Sequence, residues 1–153
     1  MPLDDLIGFD DPYRCAPSKD FNALLEGVIR WRATGDTYKG EVASSPPVPV
    51  RFREQIGTPK LGVIGNEYRA ILPIWGTWQG LALRSLVLIH WVESEGGFYL
   101  VFDASRGQVL DAANKAGFRI PPSRSEYRDE GAIGVHVGVE DYDGHGALYC
   151  IDG

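Results

Sequence analysis

Six residues near the C-terminus, Asp141-Tyr142-Asp143-Gly144-His145-Gly146, form the densest run of chemically able side chains in the chain. Asp141, Asp143 and His145 alternate at i, i+2 and i+4, a spacing that lets three side chains turn toward one divalent cation. The run imitates the start of a calcium loop. Such a loop also needs a bidentate Glu downstream of its central Gly, and Ile151 stands near that place. Asp-Gly and His-Gly are also ordinary turn chemistry. No metal is assigned, and no cofactor is expected.

Nucleophilic chemistry has little to build on. The sequence contains no G-x-S-x-G elbow, no H-E-x-x-H and no P-loop. Cys15 could pair with His90, His136 or His145 by residue type, but it sits in a proline-flanked arm. Cys150 sits in an expected strand among carboxylates, where a thiol behaves as a small hydrophobe. Two cysteines 135 positions apart make neither a disulfide framework nor a metal pair, so two separate thiols are expected. His136 lies in a row with Ala132, Gly134 and Gly138; interior glycines call for a close neighbour, either a ligand over a groove floor that exposes His136 or the helix or a Trp packed flat on them. Trp75 and Trp78, three apart in the loop Trp75-Gly76-Thr77-Trp78-Gln79-Gly80, either form an aromatic platform or cap the end of a core.

Charge gives a sharper signal. Up to and including Arg128 there are 15 basic and 15 acidic residues, and beyond it no Lys or Arg. Asp129, Glu130, Glu140, Asp141, Asp143 and Asp152 therefore carry the whole net charge of -6. A patch of one sign favours partners of the other. It argues against gripping nucleic acid, which needs a basic surface.

These residues must be positioned by a scaffold, and the chain has the means for one. With 44% hydrophobic and 11% aromatic residues it can bury a core, and 153 residues suit a single domain, 1–153. No apolar run approaches the ~20 residues that cross a bilayer. The acidic start, Met1-Pro2-Leu3-Asp4-Asp5, lacks the basic region of a secretory signal, so a cytoplasmic location is expected.

Residues 1–17, with three prolines and five charges, read as an irregular N-terminal arm. A helix is expected from about Asp20 to Ala33. Ser18 or Asp20 would cap it, Phe21, Leu24, Leu25, Val28 and Ile29 would be buried, Arg30 and Arg32 would fill its last turn, and Gly35 would close it. Gly27 within it would mark close packing on a sheet. Residues 44–50 form a proline-stiffened connection, and Arg51 to Gln55 a short edge strand. Leu61–Ile64 and Tyr68–Ile74 flank a Gly65-Asn66 hairpin turn. Leu81–Glu93 is apolar on both faces (Leu86, Leu88, His90 and Val92 against Val87, Ile89 and Trp91), as expected of a covered central strand. It turns through Glu95-Gly96-Gly97 into a strand at Phe98–Asp103. Ser105 caps a second helix, about Gly107 to Ala116, ended by Gly117. A loop, Pro121 to Glu130, leads to a final hairpin of Ala132–Glu140 and Ala147–Ile151, with Ile133, Val135, Val137 and Val139 as its apolar row.

The fold class expected is α+β: a mainly antiparallel sheet of about five to seven strands with two helices. By elimination and charge, the function expected is a protein-binding module. Its most concrete form is an immunity or antitoxin-type inhibitor that engages a basic partner, such as a nucleic-acid-directed toxin, through the C-terminal hairpin. The contact residues would be Glu140, Asp141, Tyr142, Asp143 and His145, with Trp75 and Trp78; Tyr142 would be an exposed anchor. Neither direct nucleic-acid nor membrane binding is expected, and no catalytic residue is assigned. The alternatives are a small-molecule or carbohydrate-binding domain at the Trp75/Trp78 loop and a small hydrolase around His136.

Overall fold

The computed structural model describes residues 1–35, 37–91, 96–129 and 134–152. The expected strand ends at Val92, Glu93, Ala132 and Ile133, the turn residue Glu95, the acidic Glu130 and the Asp129 side chain lie outside the described residues.

In chain order the strands are β1 (Phe9–Asp11), β2 (Ala16–Pro17), β3 (Ile29–Thr34), β4 (Thr37–Val42), β5 (Lys60–Ile64), β6 (Glu67–Pro73), β7 (Thr77–Trp78), β8 (Leu81–Trp91), β9 (Gly96–Phe102), β10 (Glu126–Asp129), β11 (Gly134–Tyr142) and β12 (His145–Asp152). The α-helices are α1 (Lys19–Gly27) and α2 (Arg106–Lys115). The α+β class stands, but the main sheet is larger than expected. Among the described residues it has eight strands in the order β10-β11-β12-β9-β8-β6-β5, with β7 beside β8, and β1-β2 and β3-β4 form separate pairs. Among the described residues, no helix is long and apolar enough to cross a membrane.

Cross-strand register sorts the sheet into two faces, because residues directly opposite share a side. Val137, Cys150, Phe98, Leu88, Ala70 and Leu61 align across six strands and carry the main core. On the other face, Val87, Ile89, Val101 and Ala147 make a second, smaller core under Trp91, Tyr99 and Tyr142. The central strands are therefore covered on both sides, as their double apolar pattern requires.

Two expected elements form as read. Ser105 accepts from the Gln108 N–H (3.2 Å), and Gln108 returns a bond to the Ser105 N–H (2.9 Å), a reciprocal cap that starts α2. Gly117, at φ +104°, follows its last turn. The Gly65-Asn66 turn joins β5 to β6 with Gly65 at φ +61°, and Pro73 ends β6. Gly146 lets α2 approach the sheet, since a Cβ there would lie 2.7 Å from the Ser105 carbonyl oxygen.

The first helix is shorter than expected. α1 ends at Gly27, where a Cβ would meet the Pro47 ring at 2.3 Å, so the glycine serves a loop contact and not the sheet. Ile29–Thr34 is a strand paired with β4 and places Arg30 and Arg32 in a hairpin. Its Ile-Arg-Trp-Arg alternation has the strand period of two, and tertiary pairing overrides the helical spacing that Ile29 also satisfies. Arg51–Gln55 lies in a 3-10 helix, Val50–Gln55, not an edge strand.

The N-terminal segment is the largest correction. Leu3, Leu6 and Ile7 are fully buried, and Phe9 packs edge-on against Phe21 and Phe118. Leu3 N–H donates to the Thr77 carbonyl (2.7 Å), and Thr77 N–H to that of Met1 (3.0 Å). The segment lacks periodicity because its apolar residues enter the core from turns and a short hairpin. Cys15 and Cys150 are bonded to each other, with Cα atoms 6.2 Å apart, which overturns the expectation of two thiols. Sequence distance hid a pair that the fold makes neighbours.

Phe21→Ala should cost about 3–5 kcal/mol in urea melts, as full core truncations do, whereas Leu25→Ala, on a half-buried side chain, should cost clearly less. In denaturant, a thiol reagent should find neither cysteine until a reductant is added. Cys15→Ala/Cys150→Ala should be destabilised by about 2–4 kcal/mol.

Candidate functional site

The two helices leave part of the core face unroofed. α1 has nine residues and spans roughly 13 Å, at ~1.5 Å per residue. Beyond its end the sheet carries small residues, Gly96, Gly97 and Gly134, and the chain bridges the gap with the β3-β4 hairpin on one side and the Arg14–Pro17 segment on the other. The result is a cavity of about 680 Å³. Leu88, Phe98 and Val135 contribute to its floor, Leu25 and Ile29 to its α1–β3 side, and Asn22, Glu26, Arg14 and Asp152 are polar groups along it. The Cys15–Cys150 bond is part of the wall.

Trp31 and His90 close one end. The Trp31 ring sits 4.5 Å from His90 and 4.9 Å from Tyr68 between ring centres. It can lie flat because its cross-strand partner is Gly40, where a Cβ would meet the indole at 2.8 Å. Burial holds the His90 pKa below its ordinary value, which favours the neutral ring.

Arg128 borders the cavity from β10 and is almost fully buried, at 4% exposure. Its guanidinium donates to the carbonyls of Tyr13 and Arg119 (2.8 Å to the latter), lies 3.3 Å from Glu126 Oε1, and stacks 4.0 Å over the Tyr13 ring. A buried cation is tolerated only with such compensation.

The residues singled out from sequence are placed apart from this cavity. The hairpin tip is a two-residue turn, with Asp143 at φ +49° and Gly144 at φ +84°, so Asp141, Tyr142, His145 and Gly146 belong to the ladder. Asp141 and Asp143 are exposed. His145 points its Nδ1 at the Asp143 carbonyl (3.2 Å) and its Nε2 toward Asp103 (3.9 Å), not at the tip carboxylates. Tyr142 is half-buried: its hydroxyl bonds Arg69 (2.8 Å), and its ring packs 5.3 Å from Tyr99. The Tyr99 hydroxyl donates to the Glu140 carboxylate. Burial first, then the Glu140 charge and this bond, push the Tyr99 pKa up to about 12.

Trp75 and Trp78 do not form a shared platform. Trp78 is buried and donates its indole N–H to the Ile7 carbonyl (3.0 Å), while Trp75 is 59% exposed beside a shallow groove shared with Ile71, Arg84 and Asp103. His136 is exposed on the face opposite the main core, 4.8 Å from the Tyr127 ring. The interior glycines of that row are covered by tyrosines: Tyr127 lies over Gly134 and Tyr149 over Gly138.

The sequence reading passed over Trp31 and Arg128, and took His90 only as a strand residue or a partner for Cys15. The one local signal was Trp31 inside an alternating run. No family model, curated protein or solved structure matches the chain.

Tyr99 supplies a direct test of the second core. Its phenolate should form with a midpoint near pH 12, and Glu140→Gln should lower that midpoint. A folded-state pKa raised above the unfolded value of 10.0 stabilises the fold below pH 10. That contribution should fade as pH rises from 10 toward 12, and Tyr99→Phe should remove this part of the alkaline loss.

Proposed function

We propose that this protein binds a small organic molecule in the cavity between α1, the β3-β4 hairpin and the sheet. The observation that carries this reading is the cavity itself. Its volume of about 680 Å³ falls within the ~300–1,000 Å³ of ligand sites, and an apolar floor with a few polar groups along it is their usual lining. Trp31 and His90 offer flat rings at one end, which suits a ligand with a planar apolar body. Asn22 and Glu26 offer polar contacts to a substituent. This keeps the small-molecule alternative but moves it from the Trp75/Trp78 loop.

The Cys15–Cys150 bond bears on location. Disulfides persist in oxidising compartments and are rare in the cytosol. We therefore place the working protein in an oxidising compartment, in preference to the cytoplasm expected from its sequence.

The exposed Asp141 and Asp143 favour a second reading, a protein-binding module of the immunity or antitoxin type that engages a basic partner. Its anionic surface is thinner than the sequence implied, because Glu140 is turned to Tyr99.

Native mass spectrometry of the protein isolated without reductant from its own cells should show one extra small-molecule mass per chain. Leu25→Trp, which adds bulk at the α1 side, should weaken retention of that molecule by about tenfold or more. A wild-type chain with no added mass that captures a basic protein, with capture lost in Asp141→Asn/Asp143→Asn, would overturn the cavity reading in favour of the second.

A further inference from the structure

We propose that the β5 edge of the sheet is a self-pairing surface, through which two copies of the chain form a continuous antiparallel sheet. The proposal is independent of the cavity.

An open sheet has two edges, and here they differ. β10 is four residues long, has charged residues at all but Tyr127, and turns Arg128 inward. Short length, charges and an inward-pointing charge are the means by which proteins block edge pairing. β5, Lys60-Leu61-Gly62-Val63-Ile64, carries no charge beyond Lys60 at its start, and although β4 comes near it, Val63 is 50% and Ile64 80% exposed.

The β5-β6 register decides which backbone groups point outward. Ile64 and Glu67 flank the two-residue turn and form the closing hydrogen-bonded pair, and bonded pairs then recur every second residue, at Gly62–Arg69 and Lys60–Ile71. The N–H and C=O of Leu61 and Val63 therefore face away from β6. Two β5 strands related by a two-fold axis at Gly62 set Leu61 opposite Val63 of the second copy, and the reverse. Both pairs use only outward groups, so four backbone hydrogen bonds form and the β5-β6 ladder is undisturbed. Gly62 faces Gly62 across the axis, in the closely spaced kind of pair.

Side chains agree with this register. Leu61 and Val63 become cross-strand apolar neighbours. Lys60 lies opposite Ile64 of the second copy, whose own ladder partner is Glu67, so two Lys60–Glu67 attractions of opposite charge span the junction. Pro59, lacking an N–H, limits the pairing to β5.

Sedimentation of the intact chain without reductant should show a concentration-dependent species of twice 16.8 kDa. Val63→Pro removes an outward donor that β6 does not use, and should weaken the dimer by about tenfold or more while circular dichroism and melting stay near wild type. Should that variant misfold, Val63→Lys should give the same weakening through like charge at the junction. Lys60→Glu should also weaken the dimer, and Lys60→Glu/Glu67→Lys should restore it. A wild-type chain that sediments at 16.8 kDa at every soluble concentration would overturn the proposal, as would a dimer undiminished by both Val63 variants.

Discussion

A guanidinium held out of water must find replacements for all its lost solvation, and Arg128 finds them in parts of the chain far apart in sequence. Through it, β10 grips Tyr13 in the N-terminal segment and Arg119 in the loop after α2. The Cys15–Cys150 bond ties the same segment to β12 two residues further on. Cys15 is itself buried in the main core, and Arg14 and Pro17 beside it stand as part of the cavity wall. Leu3, Leu6, Ile7 and Phe9 anchor the segment at its other end, where Thr77 and Trp78 receive it. The tie at Tyr13 and Cys15 thus holds one side of the cavity and, through Cys15 and Cys150, part of the main core as well.

Curvature is the second constraint. Arg69 on β6 bonds Tyr142 on β11, although β12, β9 and β8 lie between them. In a flat sheet with strands ~4.8 Å apart those positions would be about 19 Å apart or more. The sheet must curl toward this face, and the C-terminal hairpin tip closes over Val87, Ile89, Val101 and Ala147. That curl draws Tyr142 and Glu140 into internal bonds and leaves Asp141 and Asp143 to carry the exposed charge of the tip. The net charge of the last 25 residues is real, but charge count and charged surface are different quantities.

What could be read from sequence was local. The Ser105 cap, the Gly117 stop, the Gly65-Asn66 turn and the doubly apolar Leu81–Trp91 run each declare themselves within a few residues, and each forms. Ile29 fitted two periods, and only its pairing with Val42 decides between helix and strand. The first nine residues have no period at all, so their burial was invisible. Cys15 and Cys150 become neighbours only once the arm crosses the sheet. Trp78 is buried and Trp75 exposed for reasons of tertiary placement that three residues of spacing do not encode. The cavity was least legible of all, since it is a gap between elements that each look complete alone.

Ligand occupancy of that gap is the central claim, and residue-resolved nuclear magnetic resonance tests it most directly. Anilinonaphthalene sulfonate, a planar apolar body with one anionic group, would be titrated into the oxidised protein at neutral pH. Binding in the cavity predicts one saturable site, with the largest shifts at the Trp31 indole and at Leu88, His90, Gly96 and Gly97. Shifts confined to Trp75 or to the Tyr127–His136 face, or no saturable shift at all, would contradict it.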